Sequence, residues 1–373
     1  MKSFMAMDVL ERAQELERQG KRIIHLEVGE PDFPTPEPIK EAARRALAAD
    51  KTHYTHSLGL YELRQAIANH YRRRYGVGVS PEQVVVTSGT SPALLMVYAA
   101  LLNPGDRVMM TNPGYACYGN FISFCDGVPD LIDVRAEDGF QYDPADLRRR
   151  LTPATRGILI NSPANPTGNL LSAARMREIA ELGITVISDE IYHGMEYEGA
   201  AHSILEFTDN AFVLNGFSKL YAMTGWRLGY IIAPPAYVRL LQTIQQNFFI
   251  AASHFGQEAA ITALESPAVA ARVAEMTATY NKRRQYMLQR VVDMGLEVKS
   301  RPTGAFYVFA DARRFCRSSY DFAFEILEEA GVGVTPGIDF GSNGEGFIRF
   351  TYANSLENIR EGMDRLAAFL ATR

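Results

Sequence analysis

One lysine of this chain lies where a lysine can act as a nucleophile. Lys219 follows an apolar run within Leu214–Tyr230, a stretch that is poor in other charges. Partial burial there favours the neutral amine, the form that can build a Schiff base with a carbonyl group. Ser218 and Arg227 flank it with a hydroxyl and a bidentate cation, as a phosphate group requires. A solitary lysine in such a place usually extends its charged end to water, but these neighbours favour chemistry.

An acid and an amide follow two other apolar runs. Burial of the Asp189 carboxylate at the end of its run requires a cationic partner, and a protonated pyridine nitrogen would serve. Asn165 lies in Ser162–Gly168, a loop that two prolines stiffen, and its amide can bind a phenolic oxygen that Tyr192 could share. Taken singly, Asp189 could equally pair with an arginine or cap a helix, and the Asn165 loop is ordinary turn chemistry.

A fourth loop has the composition of a phosphate-binding turn. The apolar run Val84–Thr87 leads into Ser88, Gly89 and Thr90, and Pro92 suits the first turn of a helix that follows. Free N–H groups at a helix start, with serine and threonine hydroxyls, can bind a phosphate. The loop is neither a Walker A loop nor a dinucleotide fingerprint, so no nucleotide is implied. A simple capped turn is the alternative.

A sheet is needed to bring these loops together. Between about residues 37 and 264, apolar runs alternate with amphipathic helices, which predicts an α/β fold with a mostly parallel sheet sandwiched by helices. The predicted strands are Val84–Thr87, Val108–Thr111, Gly157–Asn161, Thr185–Ser188, Phe212–Asn215 and Leu228–Ala233. Ligand-binding residues collect at the carboxyl ends of such strands, where the four loops would meet.

The remainder of the chain predicts a smaller α+β domain. The expected elements are a helix at about Val269–Met294, strands at Glu297–Lys299, Ala305–Phe309 and Gly346–Thr351, and helices around Tyr320–Ala330 and Leu356–Leu370. An amphipathic helix precedes the sheet region and could pack with this part. We therefore predict a large domain at residues 37–268, and a small domain that residues 1–36 and 269–373 form together.

Three of these loops, together with an earlier segment and in their order along the chain, resemble a known family. The block Ser218–Gly229 is similar to the lysine segment of fold-type I aminotransferases of class I/II, the group that includes many bacterial aspartate, alanine and aromatic aminotransferases. Asn165–Gly168, Asp189–Tyr192 and Gly29–Phe33 match the same family at similar intervals. The likeness extends over nearly the whole chain. It implies the large domain of PLP fold type I and pyridoxal 5′-phosphate (PLP) as the cofactor.

The resemblance also implies a role for each matching residue. Lys219 would hold PLP as a Schiff base and move a proton, Asp189 would keep the ring nitrogen protonated, and Tyr192 with Asn165 would bind the ring hydroxyl. The other implied roles are phosphate binding by Ser88, Gly89, Thr90, Ser218 and Arg227, an aromatic contact on the ring by Tyr115, contact with the phosphate of a neighbouring subunit by Tyr54, and substrate carboxylate binding by Gly29, Asn165 and Arg349. Tyr54 thereby implies a homodimer with shared active sites.

The expected reaction is the transfer of an amino group between an L-amino acid and a 2-oxo acid by a ping-pong scheme, with glutamate and 2-oxoglutarate as the expected second pair. A carbon–sulfur β-lyase is the alternative, because the same lysine and aspartate serve β-elimination. A non-enzymatic PLP-binding regulatory domain is less favoured, because only a short segment precedes the matching region and the net charge of −5 argues against DNA.

Composition bears on partners and location. The 373 residues are 47% hydrophobic and 22% charged, which is typical of a globular protein with a large core. The longest apolar stretch, Ala93–Leu102, is half of the about 20 residues that a membrane helix needs. His53 and His56 have metal-ligand spacing but no accompanying ligand cluster, and the three cysteines show no paired spacing. We therefore expect a cytoplasmic protein with no metal, no nucleic acid and no membrane partner.

Overall fold

A computed structural model describes residues 3–373. Its helices are α1 (Met5–Arg18), α2 (Glu37–Ala48), α3 (Tyr61–Tyr75), α4 (Thr90–Leu101), α5 (Tyr118–Phe124), α6 (Pro144–Arg150), α7 (Ala173–Ala180), α8 (Pro235–Phe248), α9 (His254–Glu265), α10 (Pro267–Asp293), α11 (Ser319–Glu325) and α12 (Leu356–Leu370). Its strands are β1 (Ile24–His25), β2 (Val84–Thr87), β3 (Arg107–Asn112), β4 (Val128–Asp133), β5 (Thr155–Asn161), β6 (Thr185–Asp189), β7 (Ala211–Gly216), β8 (Gly229–Ile232), β9 (Tyr307–Asp311), β10 (Val332–Gly333), β11 (Thr335–Pro336) and β12 (Phe347–Thr351).

The central sheet has the strand order β2-β8-β7-β6-β5-β3-β4. Strand β8 runs antiparallel to both of its neighbours, and the other pairs are parallel. The predicted mostly parallel α/β fold is therefore confirmed, with all six predicted strands in place. The prediction missed β4, because Pro129, Asp130 and Asp133 interrupt its apolar pattern. These residues are tolerated because β4 lies at the edge of the sheet.

Helices cover both faces of this sheet, as near-continuous apolar strands require. In β2, Val84 and Val86 pack in one cluster with Leu63 of α3, whereas Val85 between them packs in another with Leu94 of α4. The alternation follows from the period-2 arrangement of side chains along a strand. Both faces are thus buried, and the strand ends are left as the places where polar loops can gather.

The two ends of the chain pack against each other. Strand β1 pairs in parallel with β10, and Val9 of α1 shares a hydrophobic core with Phe322 and Leu366. Strands β9, β12 and β11 form a separate antiparallel sheet. The contacts support a small domain built from both ends, while its proposed boundaries stay a prediction. Helix α10 belongs to both cores, since Val269 packs against the large sheet and Met287 against the small one.

One strand predicted in the small domain is wrong. In place of a strand at Glu297–Lys299, Glu297 makes an isolated bridge to Asp311. The segment follows directly on Gly295, which has a φ of +83°, so the chain is still turning away from α10 at this point. The predicted helices at both sides of it are present. No helix within residues 3–373 is long and apolar enough to cross a membrane.

Candidate active site

Loops at the carboxyl ends of the central strands surround a cavity of about 270 Å³. Of the residues predicted from the sequence, the lining contains Gly29, Thr90, Tyr115, Asn165, Asp189, Tyr192, Ser218, Lys219, Arg227 and Arg349. Ser88 and Gly89 lie beside it, between β2 and α4. Tyr54 is 83% exposed on the surface of the single chain. The structure therefore brings the predicted lysine, aspartate and arginine residues to one place.

The Asp189 carboxylate is buried at the end of β6. It accepts a hydrogen bond of 2.7 Å from the Tyr118 hydroxyl and one of 3.2 Å from the backbone N–H of Ile191. Burial raises the pKa of Asp189 to about 6, against the opposing effects of these bonds and of the Lys219 charge. Because the bonds come from neutral groups, the ionised carboxylate would gain from a cation placed beside it.

The Lys219 amine lies in the same cavity. Its Nζ donates a hydrogen bond of 2.6 Å to the backbone carbonyl of Gly29. Desolvation lowers the pKa of Lys219 to about 8; the Glu30 carboxylate opposes this effect, and the cations of Arg349 and Arg227 add to it. The neutral amine is therefore accessible near neutral pH, as a nucleophile or proton carrier needs.

Arg349 of β12 is buried opposite the strand ends of the large sheet. One terminal nitrogen donates to the Asn165 side-chain oxygen at 2.8 Å, and the other donates to the Glu27 carbonyl at 2.5 Å and the Thr335 hydroxyl at 3.0 Å. Its guanidinium carbon stands 4.5 Å from the centre of the Tyr307 ring. Among the described residues its Nε has no partner. The two terminal nitrogens thus hold the fork in a fixed plane, while the Nε–H still needs an acceptor.

The opposite side of the cavity offers donors to an anion. Helix α4 begins at Thr90, and Gly89 precedes it with a φ of +102°. A Cβ on Gly89 would stand 2.7 Å from a terminal nitrogen of Arg227, so glycine is needed for this close approach. Arg227 itself has a φ of +52°, a backbone conformation that costs free energy for a residue other than glycine. Ser218 also lines this part.

Two tyrosines of the lining were not found from the sequence. Tyr118 bonds Asp189 across 71 positions, and the Tyr307 hydroxyl lies 2.7 Å from that of Tyr192 across 115 positions. In the sequence, Tyr307 looks like one more apolar residue of a predicted strand. Tyr118 is the first residue of α5 and follows Tyr115 by three positions through a turn, in which its N–H donates to the Tyr115 carbonyl at 3.1 Å. The short distance in sequence from Tyr115 was the signal that could have indicated it.

Comparison with known proteins decides the family. The family model described as aminotransferase class I and II matches residues 21–366. The chain belongs to the class I and II aminotransferases. This aminotransferase is 42% identical to the (5-formylfuran-3-yl)methyl phosphate transaminase of Methanocaldococcus jannaschii, over 99% of this chain and 97% of the relative. It is 37% identical to the aspartate/prephenate aminotransferase of Thermus thermophilus, over 99% and 97% of the two chains.

The structural comparison agrees with the family assignment. The solved aspartate aminotransferase of Thermus thermophilus with maleate superposes with a TM-score of 0.95 at 38% identity, covering 99% of this chain and 97% of that one. The fold is therefore that of the PLP-dependent aminotransferases, and PLP is the cofactor of this family. When bound, PLP supplies an electron sink for the electron pair left on a substrate Cα.

The cavity of this aminotransferase fits PLP. A protonated ring nitrogen would provide the cation that the buried Asp189 carboxylate would gain from, and the start of α4 with Arg227 suits a phosphate dianion. Lys219 supplies an amine of lowered pKa for the aldehyde. The ring nitrogen, the phosphate and the aldehyde of the cofactor thus each have a chemically matched group in or beside the lining.

Proposed function

We propose that this aminotransferase moves an amino group between an L-amino acid and a 2-oxo acid by a ping-pong scheme. One observation supports this above all: the Lys219 amine, the Asp189 carboxylate and the Arg349 guanidinium line a single cavity. The amine serves the proton transfer, the carboxylate holds the ring nitrogen, and the guanidinium recognises a carboxylate.

The cofactor contacts that we propose follow from the same lining. Lys219 would hold the aldehyde carbon of PLP, Asp189 the ring nitrogen, and Asn165 with Tyr192 the phenolic oxygen, while Tyr115 would cover the ring. The phosphate would be held by Ser88, Gly89, Thr90, Ser218 and Arg227. The position of Arg227 against the start of α4 supports this division.

The substrate would be oriented by Arg349. Its fork would bind the α-carboxylate together with the backbone N–H of Gly29 and the amide of Asn165, which already accepts a bond from the same guanidinium. With one substituent of Cα fixed, the Cα–H bond can be aimed at Lys219, whose pKa of about 8 suits the removal and return of that proton near neutral pH.

Part of the cavity wall is apolar, and we propose that it receives the substrate side chain. Phe4, Ala6 and Met7 line the cavity, and the Phe4 ring meets Tyr115 edge-on with 6.0 Å between centroids. The Asp339 carboxylate accepts bonds from the N–H groups of Met5 and Ala6 at 3.0 and 3.1 Å, so an anion stands behind this wall. We propose that donors with apolar side chains react better than aspartate or glutamate. Glutamate and 2-oxoglutarate remain the proposed second pair.

A single-turnover donor panel tests both the reaction and this preference. Conversion of the bound cofactor to its amine form is followed by absorbance, and phenylalanine is expected to give a higher kcat/KM than aspartate. In Phe4→Ala the value for phenylalanine should fall about tenfold, because an aromatic contact worth about 1.4 kcal/mol is lost, while alanine is unaffected.

The control for the panel is Phe124→Ala, which removes a phenylalanine that is 63% exposed. This variant should behave like the wild type. Faster turnover of aspartate than of phenylalanine would contradict the apolar preference. Pyruvate formed from a β-substituted amino acid without any 2-oxo acid acceptor would favour the carbon–sulfur lyase instead.

We further propose a homodimer with shared active sites. Large apolar side chains are exposed on the Tyr54 loop, on α8 and shortly after it, namely Tyr54, Leu240, Phe248, Ile250 and Phe255. Gln242 of α8 donates to the Ser57 hydroxyl at 3.1 Å, so the Tyr54 loop and α8 lie side by side. Exposed apolar side chains on these neighbouring segments support burial against a second copy, where the Tyr54 hydroxyl would reach the partner's phosphate. A cytoplasmic location is proposed as well, and the three cysteines, all described and free, support it.

Mixed dimers test the shared site. Tyr54→Ala and Lys219→Ala are each expected to be poorly active as pure proteins. After unfolding and refolding together, hybrid dimers should recover activity, because one of their two sites combines an intact Lys219 with an intact Tyr54. Size-exclusion chromatography with light scattering checks the dimer mass. Monomers, or hybrids that recover nothing, would contradict this proposal.

A further inference from the structure

Tyr307 contacts three residues to which the proposed function gives a role. It is the first residue of β9 and is 1% exposed. Its hydroxyl oxygen lies 2.7 Å from that of Tyr192, and its ring lies beneath Arg349 with 4.5 Å between the guanidinium carbon and the ring centre. Its hydroxyl also packs so closely on Gly29 that a Cβ there would collide with it. A single phenol therefore links the proposed ring-oxygen contact to the proposed carboxylate site.

Only one of the two phenols can be the donor in the hydrogen bond between them. Each phenol has one O–H, so whichever donates across the 2.7 Å bond has no proton for another acceptor. Burial raises the pKa of both tyrosines, so both keep their protons. If Tyr192 donates to the phenolic oxygen of the cofactor, the proton in the bond between the phenols has to come from Tyr307.

The ring of Tyr307 has a second contact that does not depend on its hydroxyl. The Arg349 guanidinium stands over its face and over that of Phe340, whose centre is 4.9 Å away. Stacking between two aromatic rings fixes the plane of the fork, and a bidentate bond to a carboxylate depends on that plane. The hydroxyl and the ring thus act on different parts of the site and can be separated by mutation.

We propose that Tyr307 is a positioning residue, whose hydroxyl donates to Tyr192 and directs the Tyr192 proton at the cofactor oxygen, while its ring sets the plane of Arg349. This inference rests on the proposed function. A phenol that accepts a hydrogen bond becomes a better donor in turn, because bonded groups polarise one another. Tyr192 supported in this way stabilises a negative cofactor oxygen more strongly than an unsupported Tyr192.

The hydroxyl role predicts a spectroscopic change in the holoenzyme. The phenolic oxygen of the cofactor depends most on its hydrogen-bond donor when the nitrogen that joins the cofactor to Lys219 is unprotonated. A weaker donor therefore disfavours this unprotonated form. In Tyr307→Phe the pH at which the visible absorbance of the lysine-bound cofactor titrates should rise by about 0.5 to 1 unit, as expected for loss of one hydrogen bond. The KM for an amino acid should stay within about twofold, since the ring remains beneath Arg349.

Four further variants complete the experiment. Tyr307→Leu removes the ring as well and should add a rise in KM of about tenfold, for lost stacking of about 1.4 kcal/mol. Tyr352→Phe is the matched control, because it deletes another buried phenol, which bonds the carbonyl of Ala305, and it should leave the titration unchanged. Tyr192→Phe should raise the titration by itself, and Tyr192→Phe/Tyr307→Phe should raise it no further.

The outcomes separate this inference from the proposed function. A shift in Tyr307→Phe that disappears in the Tyr192→Phe background supports the donor role. A shift in Tyr192→Phe without one in Tyr307→Phe overturns the inference and leaves the proposed contact of Tyr192 intact. Absence of a shift in both variants overturns the inference together with the proposed role of Tyr192. An equal shift in Tyr352→Phe overturns it as a general effect of losing a buried hydroxyl.

Discussion

Lys219→Ala is expected to lower kcat/KM for transamination by about 10⁴-fold, the upper end of what one acid–base group contributes. This single substitution removes both the proton carrier and the amine that holds the cofactor aldehyde. No other lysine is in the described lining of the cavity, so none can take over. The visible absorbance of the lysine-bound cofactor should vanish. Gel filtration, which separates free from bound cofactor, measures how much cofactor the variant still binds.

Lys282→Ala is the matched control for this variant, because it removes an exposed lysine of α10 outside the cavity. It should retain both the absorbance and the turnover of the wild type. Added primary amines of small size should restore part of the activity of Lys219→Ala by entering the space that the side chain leaves. Wild-type absorbance in Lys219→Ala would contradict the assignment of the lysine.

Arg349→Ala is expected to lower kcat/KM for α-amino acids by about 10²- to 10³-fold, because two charge-assisted bonds to the carboxylate, together worth about 3 to 4 kcal/mol, are lost. The cofactor should stay bound, since the arginine lies across the cavity from the phosphate donors. Arg349→Lys should recover only part of the loss, because an ammonium group lacks the planar fork. Steady-state kinetics with cofactor occupancy measured by absorbance decide the result.

The stability of Arg349→Ala must be measured together with its kinetics. Truncation removes the donor of the Asn165 side-chain oxygen, at a cost of about 1 to 3 kcal/mol. It also removes one bond each from the Glu27 carbonyl and the Thr335 hydroxyl, which stay bonded to each other at 2.9 Å. Thermal denaturation should therefore show a lowered Tm, whereas Arg149→Ala, which removes a guanidinium that is 70% exposed, should not. Loss of the cofactor with unchanged kinetics of the remaining holoenzyme would contradict the assignment to the substrate carboxylate.

Most of the large sheet could be predicted because its strands carry their own signal. Val84–Thr87 begins with three valines and leads into small polar residues, and the structure places β2 at the same residues. The loops that follow such strands meet at one edge of the sheet for a topological reason, so Asp189 and Lys219 could be brought together without any knowledge of packing. Strand β4 carried no such signal, since an edge strand tolerates proline and acids.

The contacts that depend on packing could not be predicted. Tyr307 sits in the apolar run of β9, where an aromatic residue indicates core, and only the pairing of β9 with β12 brings it beneath Arg349. Phe4 and Met7 reach the cavity because Asp339 holds the start of α1, a contact between opposite ends of the sequence. Sequence patterns indicate local periodicity only. The positions of these residues depend on partners that are distant in sequence, so the patterns could not predict them.

The pairing of β1 with β10 has a consequence for biosynthesis. Ile24 pairs with Val332, so the early segment has to wait for its partner until almost all of the chain has left the ribosome. The central sheet, made of residues 84–232, can assemble before that point. Contacts between such distant residues close slowly, and an early segment left waiting is exposed to chaperones and proteases. We expect the Arg349 side of the catalytic cavity to be the last part to form during translation.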